Sequence, residues 1–449
     1  MGTDGRTAHV AVRYMTAAGK SGLYINLWRL LMNTSRKEGD TARHGRTGHA
    51  TIMLCLAIAL LEGLDLQSAG VAGPRMAKEF SLAVAQMGWA FSAGAFGLLP
   101  GAALGGRLAD RFGRKRVLMW SVAMFGLFSL ATTQVWSFES LLVARLMTGG
   151  GLGAAMPNLI ALCSEAAGPR QRGTAVGAMY CGMPFGAAIA AVIGIASAGD
   201  ANWRHVFYVG GFGPLVMVPL LGMFLHESRQ FVATRSTVAG HVAGLPGVRD
   251  ALWRHGRART TIALWISYLG TLVVLYFLMN WLPSMVLSRG LTRVQANVVL
   301  MMFNIGGGIG AVAIATLMDR FGRRGTVIGM YVGVAVALIT LASAGGATSM
   351  AIGGLLCGLF LVGGQSVLYA LAGHAYPTEV RGTGVGAAVA VGRLGSILGP
   401  LVAGQLFALG QSPSMLVSAS IPLIVIAAVA ALTVVGAFAR QRTGEPQRA

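Results

Sequence analysis

A polar loop recurs in this sequence at an interval of 209 residues, and each copy lies between apolar stretches about long enough to cross a lipid bilayer. The first copy reads Gly106-Arg-Leu-Ala-Asp110-Arg111-Phe-Gly113-Arg114-Lys-Arg. The second reads Ala315-Thr-Leu-Met-Asp319-Arg320-Phe-Gly322-Arg323-Arg. Arg172-Gly-Thr returns as Arg381-Gly-Thr at the same interval. Agreement at two places implies an internal duplication, and parallel repeats in an apolar chain are one way a membrane transporter is built.

Composition points the same way. Hydrophobic residues make up 55% of the chain and charged residues 11%, about half the charged share of a soluble domain. Twelve segments approach the roughly 20 apolar residues a spanning helix needs: 51–73, 88–108, 117–135, 140–163, 174–197, 205–225, 260–282, 294–317, 326–344, 349–373, 383–408 and 414–438. The expected fold is therefore an all-α membrane protein, with twelve transmembrane helices in two six-helix pseudo-repeats. Residues 1–49 read as a disordered basic tail, in which Leu23–Met32 could form a short interfacial helix around Trp28. The first bundle is expected over 50–225, a basic connection over 226–259, the second bundle over 260–439 and a polar tail over 440–449. Nothing resembles a cleaved signal peptide.

The formal net charge of +20 is a topology signal. Of 35 Lys and Arg, external loops would hold Arg75, Lys78, Arg204, Arg289 and Arg293, and spans would hold Arg145 and Arg393. The rest fall in the tails and the loops of the opposite face. Positive charge accumulates on the cytoplasmic side, so both termini are expected inside, and the basic loops can contact anionic lipid. Nucleic-acid binding would want the basic residues interleaved with exposed aromatics on one face, and these are scattered. Cys55, Cys163, Cys181 and Cys357 lie in apolar stretches without metal-ligand spacing and read as buried thiols, so no metal or cofactor is expected. Close-set glycines at 97/101, 149/153, 182/186 and 306/310 let helices approach one another.

Ionisable groups inside spans are costly and usually functional. Among 15 Asp and Glu, Glu62 and Asp65 alone sit well inside a span. Their i, i+3 spacing puts both on one helical face, where desolvation and mutual repulsion tune a carboxyl to load and release protons. The bland alternative is a neutral acid bonded to a neighbouring helix. Arg393 offers a guanidinium to an anion, which it can bind bidentately. Arg145 either orders the first half, pairs with Glu62 or Asp65, or contacts substrate.

The Asp-Arg-x-Gly-Arg loops resemble the signature of the major facilitator superfamily, and Arg145-Leu-Met-Thr-Gly149-Gly-Gly-Leu-Gly153 resembles its fourth-helix motif. Pro377-Thr-Glu379-Val-Arg381-Gly-Thr resembles its loop between the tenth and eleventh helices. Within that superfamily, Glu62-Gly-Leu-Asp65 resembles the Asp-Gly-x-Asp motif of the aromatic acid:proton symporters, with Glu at the first position. Longer stretches, Arg145 to Gly186, Gly363 to Leu371 and Val391 to Gly395, are similar to members that carry phenylpropanoid acids.

The resemblance implies a monomeric importer in the bacterial inner membrane that binds an aromatic acid anion and protons. It implies that helices one, four, seven and ten line the cavity, making Asn158, Tyr276, Asn280, Gln365 and Tyr369 candidate contacts, with Asn304 on the eighth a softer one; a buried amide or phenol of this kind more often simply satisfies a hydrogen bond. Trp265, Tyr268 and Phe277 could stack on an aromatic ring, although such residues more often pack. Trp281 fits an interfacial anchor, and His374 is a proton-relay candidate or a solvated loop-edge group. Proton coupling is expected at Asp65, tuned by Glu62. The loop residues Gly106, Asp110, Arg111, Gly113 and Arg114, with Asp319, Arg320, Gly322 and Arg323, would latch the cytoplasmic side through Glu165, Glu379 and Arg381. Benzoate-type substrates, an efflux antiporter and a membrane sensor remain as alternatives.

Overall fold

The computed structural model describes residues 20–167, 172–199, 202–228, 248–254, 257–377 and 380–443, with the backbone alone for 20–47, 172–174, 248, 250–251, 315–316, 319, 382 and 438–443. Among the described residues there are helices and no strands. The first half comprises α1 (Lys20–Glu79), α2 (Val84–Phe112), α3 (Arg114–Thr132), α4 (Phe138–Ala166), α5 (Arg172–Ala196) and α6 (His205–Phe224). After a short helix at Val248–Trp253, the second half opens with α7 (Ala258–Ser288). One element, Arg293–Ser343, bends at Gly322 (φ 69°), and its arms are α8 (spanning Arg293–Ile314) and α9 (spanning Arg320–Ser343). The rest are α10 (Ala347–Ala375), α11 (Arg381–Ala408) and α12 (Pro413–Thr443).

Eleven of these are long and apolar enough to cross a membrane. The remaining one, α3, has 19 residues and begins on Arg114, Lys115 and Arg116, which dilute its apolar stretch. In α1 the apolar span begins at Gly48, while the helix itself reaches back to Lys20. Part of the segment expected to be a disordered tail is thus helical, and no proline interrupts the helix before Pro74.

Helix pairing repeats between the halves. In the first, α1 packs on α5 and α6, α2 on α4, and α3 on α6. In the second, α7 packs on α11 and α12, and the α8–α9 element on α10 and α12. The same residues serve in both. A Cβ on Gly97 or Gly101 would run into the α4 backbone at Leu146 and Gly150. One on Gly306 or Gly310, each 209 residues later, would run into the α10 backbone at Leu355 and Leu359. Helix starts repeat too. Gln86 Oε1 accepts from Ala83 N at 2.8 Å, as Gln295 Oε1 does from Thr292 N at 2.8 Å. Ser140 Oγ accepts from Ser137 N at 3.0 Å, as Ser349 Oγ does from Gly346 N at 3.2 Å. The glycines of the recurring loop, Gly113 (φ 100°) and Gly322 (φ 69°), both take the positive φ that a side chain disfavours.

The halves close on each other at the end that carries the turns at Ser81 and Gly290. There Ser92 Oγ donates to Ile397 O at 2.8 Å, and Gly88 lies against Pro400 and Gly404. Trp281, expected as an interfacial anchor, is instead 5% exposed in this seam. Its Nε1 donates to Pro400 O at 3.1 Å, and its ring meets Phe91 (5.2 Å) and Phe407 (4.9 Å). Hydropathy placed it near a membrane edge, but Phe91 of the first half and Pro400 and Phe407 of α11 cover it. Gln67 Nε2 donates to Met279 O at 2.8 Å, and Asn304 Nδ2 to Gln67 Oε1 at 3.3 Å. Toward the other end, Gly106, Gly177, Gly373 and Gly386 face open space where a Cβ would stand. The halves are therefore joined at the end that carries the turns at Ser81 and Gly290.

Candidate transport site

The acidic pair divides. Asp65 is fully buried on α1, and both carboxylate oxygens have partners: Ser129 Oγ of α3 donates at 2.7 Å and Arg145 Nη1 of α4 at 3.1 Å. Arg145 is 4% exposed, and its guanidinium also lies over the Phe207 ring of α6 at 5.5 Å. This is a closed cluster inside the first half. Removing one member of such a pair leaves an uncompensated buried charge, which typically costs about 3–5 kcal/mol. The arrangement fits the pairing reading of Arg145: its two Nη atoms face Asp65, while its buried Nε has no hydrogen-bond partner.

Glu62 is 1% exposed, and its Oε2 has no hydrogen-bond partner. Arg393 of α11 lies within electrostatic reach of it. Arg393 is half-buried, and its Nη1 donates to Tyr276 Oη of α7 at 3.0 Å. Tyr180 and Tyr369 also lie within electrostatic reach of it. The Tyr180 and Tyr369 rings are 6.2 Å apart, and Tyr268 meets Tyr369 edge-on at 5.9 Å. A guanidinium walled by tyrosines suits an anion that carries an aromatic ring, since the cation takes the charge and the rings take the apolar face.

The softer candidates separate. Gln365 and Tyr369 are half-buried on α10. Asn158 and Asn280 are buried, and each donates to the carbonyl four residues earlier, Ala154 O and Tyr276 O, both at 2.9 Å. Asn304 joins the halves through Gln67. Tyr268 and Phe277 are buried, and Trp265 packs edge-on against Trp253 at 5.8 Å. His374 is exposed at the end of α10, with Nδ1 2.7 Å from Ala370 O.

At the recurring loops, Arg114 pairs with Glu165, whose carboxylate also accepts from Ser228 Oγ at 2.8 Å. Lys115 N donates to Glu227 Oε1 at 3.0 Å. Asp110, Arg111 and Arg320 are exposed, Arg323 is half-buried, and Arg381 Nε donates to Tyr376 O at 3.4 Å. The Asp319 side chain and Glu379 lie outside the described residues. Sequence reading passed over Tyr180, Ser129 and Gln67. Single polar residues in apolar spans carry no periodic signal, and only the fold reveals what they face. Among the described residues no three His, Cys, Asp or Glu are placed to hold a metal ion.

The family profile described as Major Facilitator Superfamily matches residues 55–400 and 264–448. The sequence is 51% identical to the 3-(3-hydroxy-phenyl)propionate transporter of Escherichia coli (strain K12), over 85% of this chain and 92% of that one. It is 34% identical to the 4-hydroxybenzoate transporter PcaK of Pseudomonas aeruginosa, over 80% and 86%. The fold aligns with the crystal structure of a D-xylose-proton symporter at a TM-score of 0.71 and 21% identity, covering 86% of this chain and 97% of that one. The paired six-helix halves, the recurring loops and these likenesses together make the chain a multi-pass membrane transporter that belongs to the Major Facilitator Superfamily.

Proposed function

We propose that this transporter takes up an aromatic carboxylic acid together with protons, and that the acid is 3-(3-hydroxyphenyl)propionate or a close phenylpropanoid relative. The observation that carries the reading is Arg393, a half-buried cation beside Tyr276, Tyr369 and Tyr180 and opposite an acidic residue of the other half. The guanidinium supplies a reason to bind a carboxylate, the tyrosines a reason to bind an arene, and the 51% identical relative the side-chain length. The acidic pair on α1 is the proton-handling group. The site is reached alternately from each face by rocking of the halves. The basic loops lie on the cytoplasmic side of a bacterial inner membrane, and both termini are cytoplasmic. The protein works as a monomer, and the Arg114–Glu165 cluster with its counterpart loop belongs to the gating cycle.

The test is uptake by purified protein in liposomes under an imposed inward proton gradient. Accumulation of labelled 3-(3-hydroxyphenyl)propionate is expected, with competition falling in the order propionate, cinnamate-type acid, benzoate. The neutral amide of the substrate should not compete, because it leaves the guanidinium unpaired. Equal competition by amide and acid would remove Arg393 as the carboxylate anchor. A preference for 4-hydroxybenzoate would favour the reading that the PcaK likeness supports, since each methylene is worth about 1–3 kcal/mol of discrimination.

A further inference from the structure

We infer that the second copy of the recurring loop holds an anionic phospholipid, with an acyl chain in a crevice between α9 and α10 and the headgroup on Arg320 and Arg324. The crevice measures about 240 Å3 and is walled by Ile314 at the end of α8, Phe321, Gly329 and Met330 of α9, and Phe360 of α10. It opens on the outer surface of α9. Phe321 is 69% exposed, Gly325 and Gly329 are exposed, and Ile328, Val332, Val336 and Ile339 continue the stripe at helical spacing. On a spanning helix of a membrane transporter, an exposed apolar stripe meets hydrocarbon rather than water.

The duplication supplies the comparison. The residue 209 positions before Gly329 is Trp120, and the one before Phe321 is Phe112. The Trp120 and Phe112 rings lie 5.9 Å apart, so the first half has an indole where the second has only a hydrogen. A Cβ on Gly329 would meet nothing within 4 Å. The cations differ in the same way. In the first copy Arg111 lies over the Phe112 ring at 5.2 Å, and Lys115 Nζ donates to Gly222 O at 2.8 Å. Their counterparts, Arg320 and Arg324, are exposed and, among the described residues, form no ion pair or ring contact. Each adjoins a residue of the crevice wall, Arg320 next to Phe321 and Arg324 next to Gly325. The first half thus fills its slot and engages its cations internally, while the second leaves an apolar slot and two cations side by side. A free anion would use only the arginines, and a neutral lipid only the slot. An anionic phospholipid uses both. Under the proposed topology this loop lies at the cytoplasmic leaflet, whose anionic lipids attract basic segments.

Native mass spectrometry of the delipidated protein in detergent, titrated with dioleoylphosphatidylglycerol or dioleoylphosphatidylcholine, tests this. The wild type should retain one phosphatidylglycerol under activation that strips the rest. Each arginine beside a headgroup is worth about fivefold in affinity, so the preference over phosphatidylcholine at this site should be about 25-fold. Substituting Arg320→Gln and Arg324→Gln together should erase that preference. Gly329→Trp, which restores the residue of the first half, should abolish retention of the tightly held lipid, and its melting temperature in detergent checks that it folds. Equal retention of the two lipids by the wild type would overturn the inference. So would a Gly329→Trp protein that keeps the lipid and the preference, because the headgroup would then be held without the crevice. A wild type that retains no lipid and runs at twice the mass of one chain would make the crevice an interface between copies instead. The wild-type preference and the arginine variant decide even if Gly329→Trp folds poorly. No transport is measured, so the outcome is independent of the aromatic-acid reading.

Discussion

At the residue scale, Asp65 and Arg145 stabilise the fold only as a pair. The ion pair is 0% and 4% exposed, so neither charge has water to fall back on. Asp65→Asn alone and Arg145→Met alone are each expected to cost about 3–5 kcal/mol, while the double substitution costs much less than their sum. The measurement is the melting temperature of the four detergent-solubilised proteins, and additive losses would show that the two charges are not coupled. The acidic pair was legible in the sequence because 15 acidic residues are few and only two lie deep in a span. Which of the two pairs with Arg145 was not legible. At i, i+3 they share a face, and the choice is made by Ser129 and Arg145 on other helices. Tyr180 was invisible for a related reason. One tyrosine in an apolar helix resembles any packing aromatic until its neighbour across the cavity, Tyr369, is known.

At the element scale, the duplication is a device for packing helices, and function breaks it. Gly97, Gly101 and Gly149 recur as Gly306, Gly310 and Gly358, all at backbone-to-backbone crossings. The site residues do not recur: 209 residues separate Asp65 from Val274, Arg145 from Gly354 and Pro184 from Arg393. The repeated positions therefore fall at helix packing, and the candidate site residues fall outside the repeat. The recurring loops announced this register in the sequence. The matching helix starts at Gln86 and Gln295 follow it, but they were hidden because their capped neighbours, Ala83 and Thr292, differ. Gly97→Ala and Gly306→Ala should destabilise to a similar degree, each by about 1–3 kcal/mol from overpacking. Gly329→Ala, on an exposed face with open space around it, should be neutral or stabilising by up to about 1 kcal/mol. Thermal unfolding of the three variants checks this, and a large loss at Gly329 or none at Gly97 would contradict the packing argument.

At the scale of the whole molecule, three of the four arginines on the face where the halves join, Arg75, Arg204 and Arg289, are structural fixtures. Arg75 donates to Ser197 O (2.6 Å) and Ala198 O (3.1 Å) beyond the end of α5, and Arg289 to Ala342 O and Ala344 O beside the end of α9. Arg204 pairs with Glu79 at 2.6 Å. Each satisfies carbonyls or a carboxylate at a helix end, so these residues do not weaken the charge bias that sets topology. Cysteines introduced at Lys78, Asn202 and Arg289 should accordingly react with an impermeant reagent from outside intact cells, and reaction only from the cytoplasmic side would reverse the orientation. The same face holds the seam that, under the proposed alternating access, parts for substrate to enter. There Gly88 of α2 and Gly404 of α11 meet backbone to backbone, with a Cβ on either about 3 Å from the other's Cα, a separation that a disulfide can bridge once the backbone gives slightly to admit the two side chains. The variant carrying Gly88→Cys and Gly404→Cys should therefore crosslink the two halves under mild oxidation. If the halves rock about a central site, the crosslinked carrier cannot open outward. Uptake should then fall to background and return on addition of reductant, while either single variant is indifferent to the oxidant. The four native cysteines are unpaired, three of them buried, so they leave this readout clean. Full uptake by a crosslinked carrier would mean that substrate does not pass between α2 and α11, and that the seam at Trp281 is permanent packing rather than a gate.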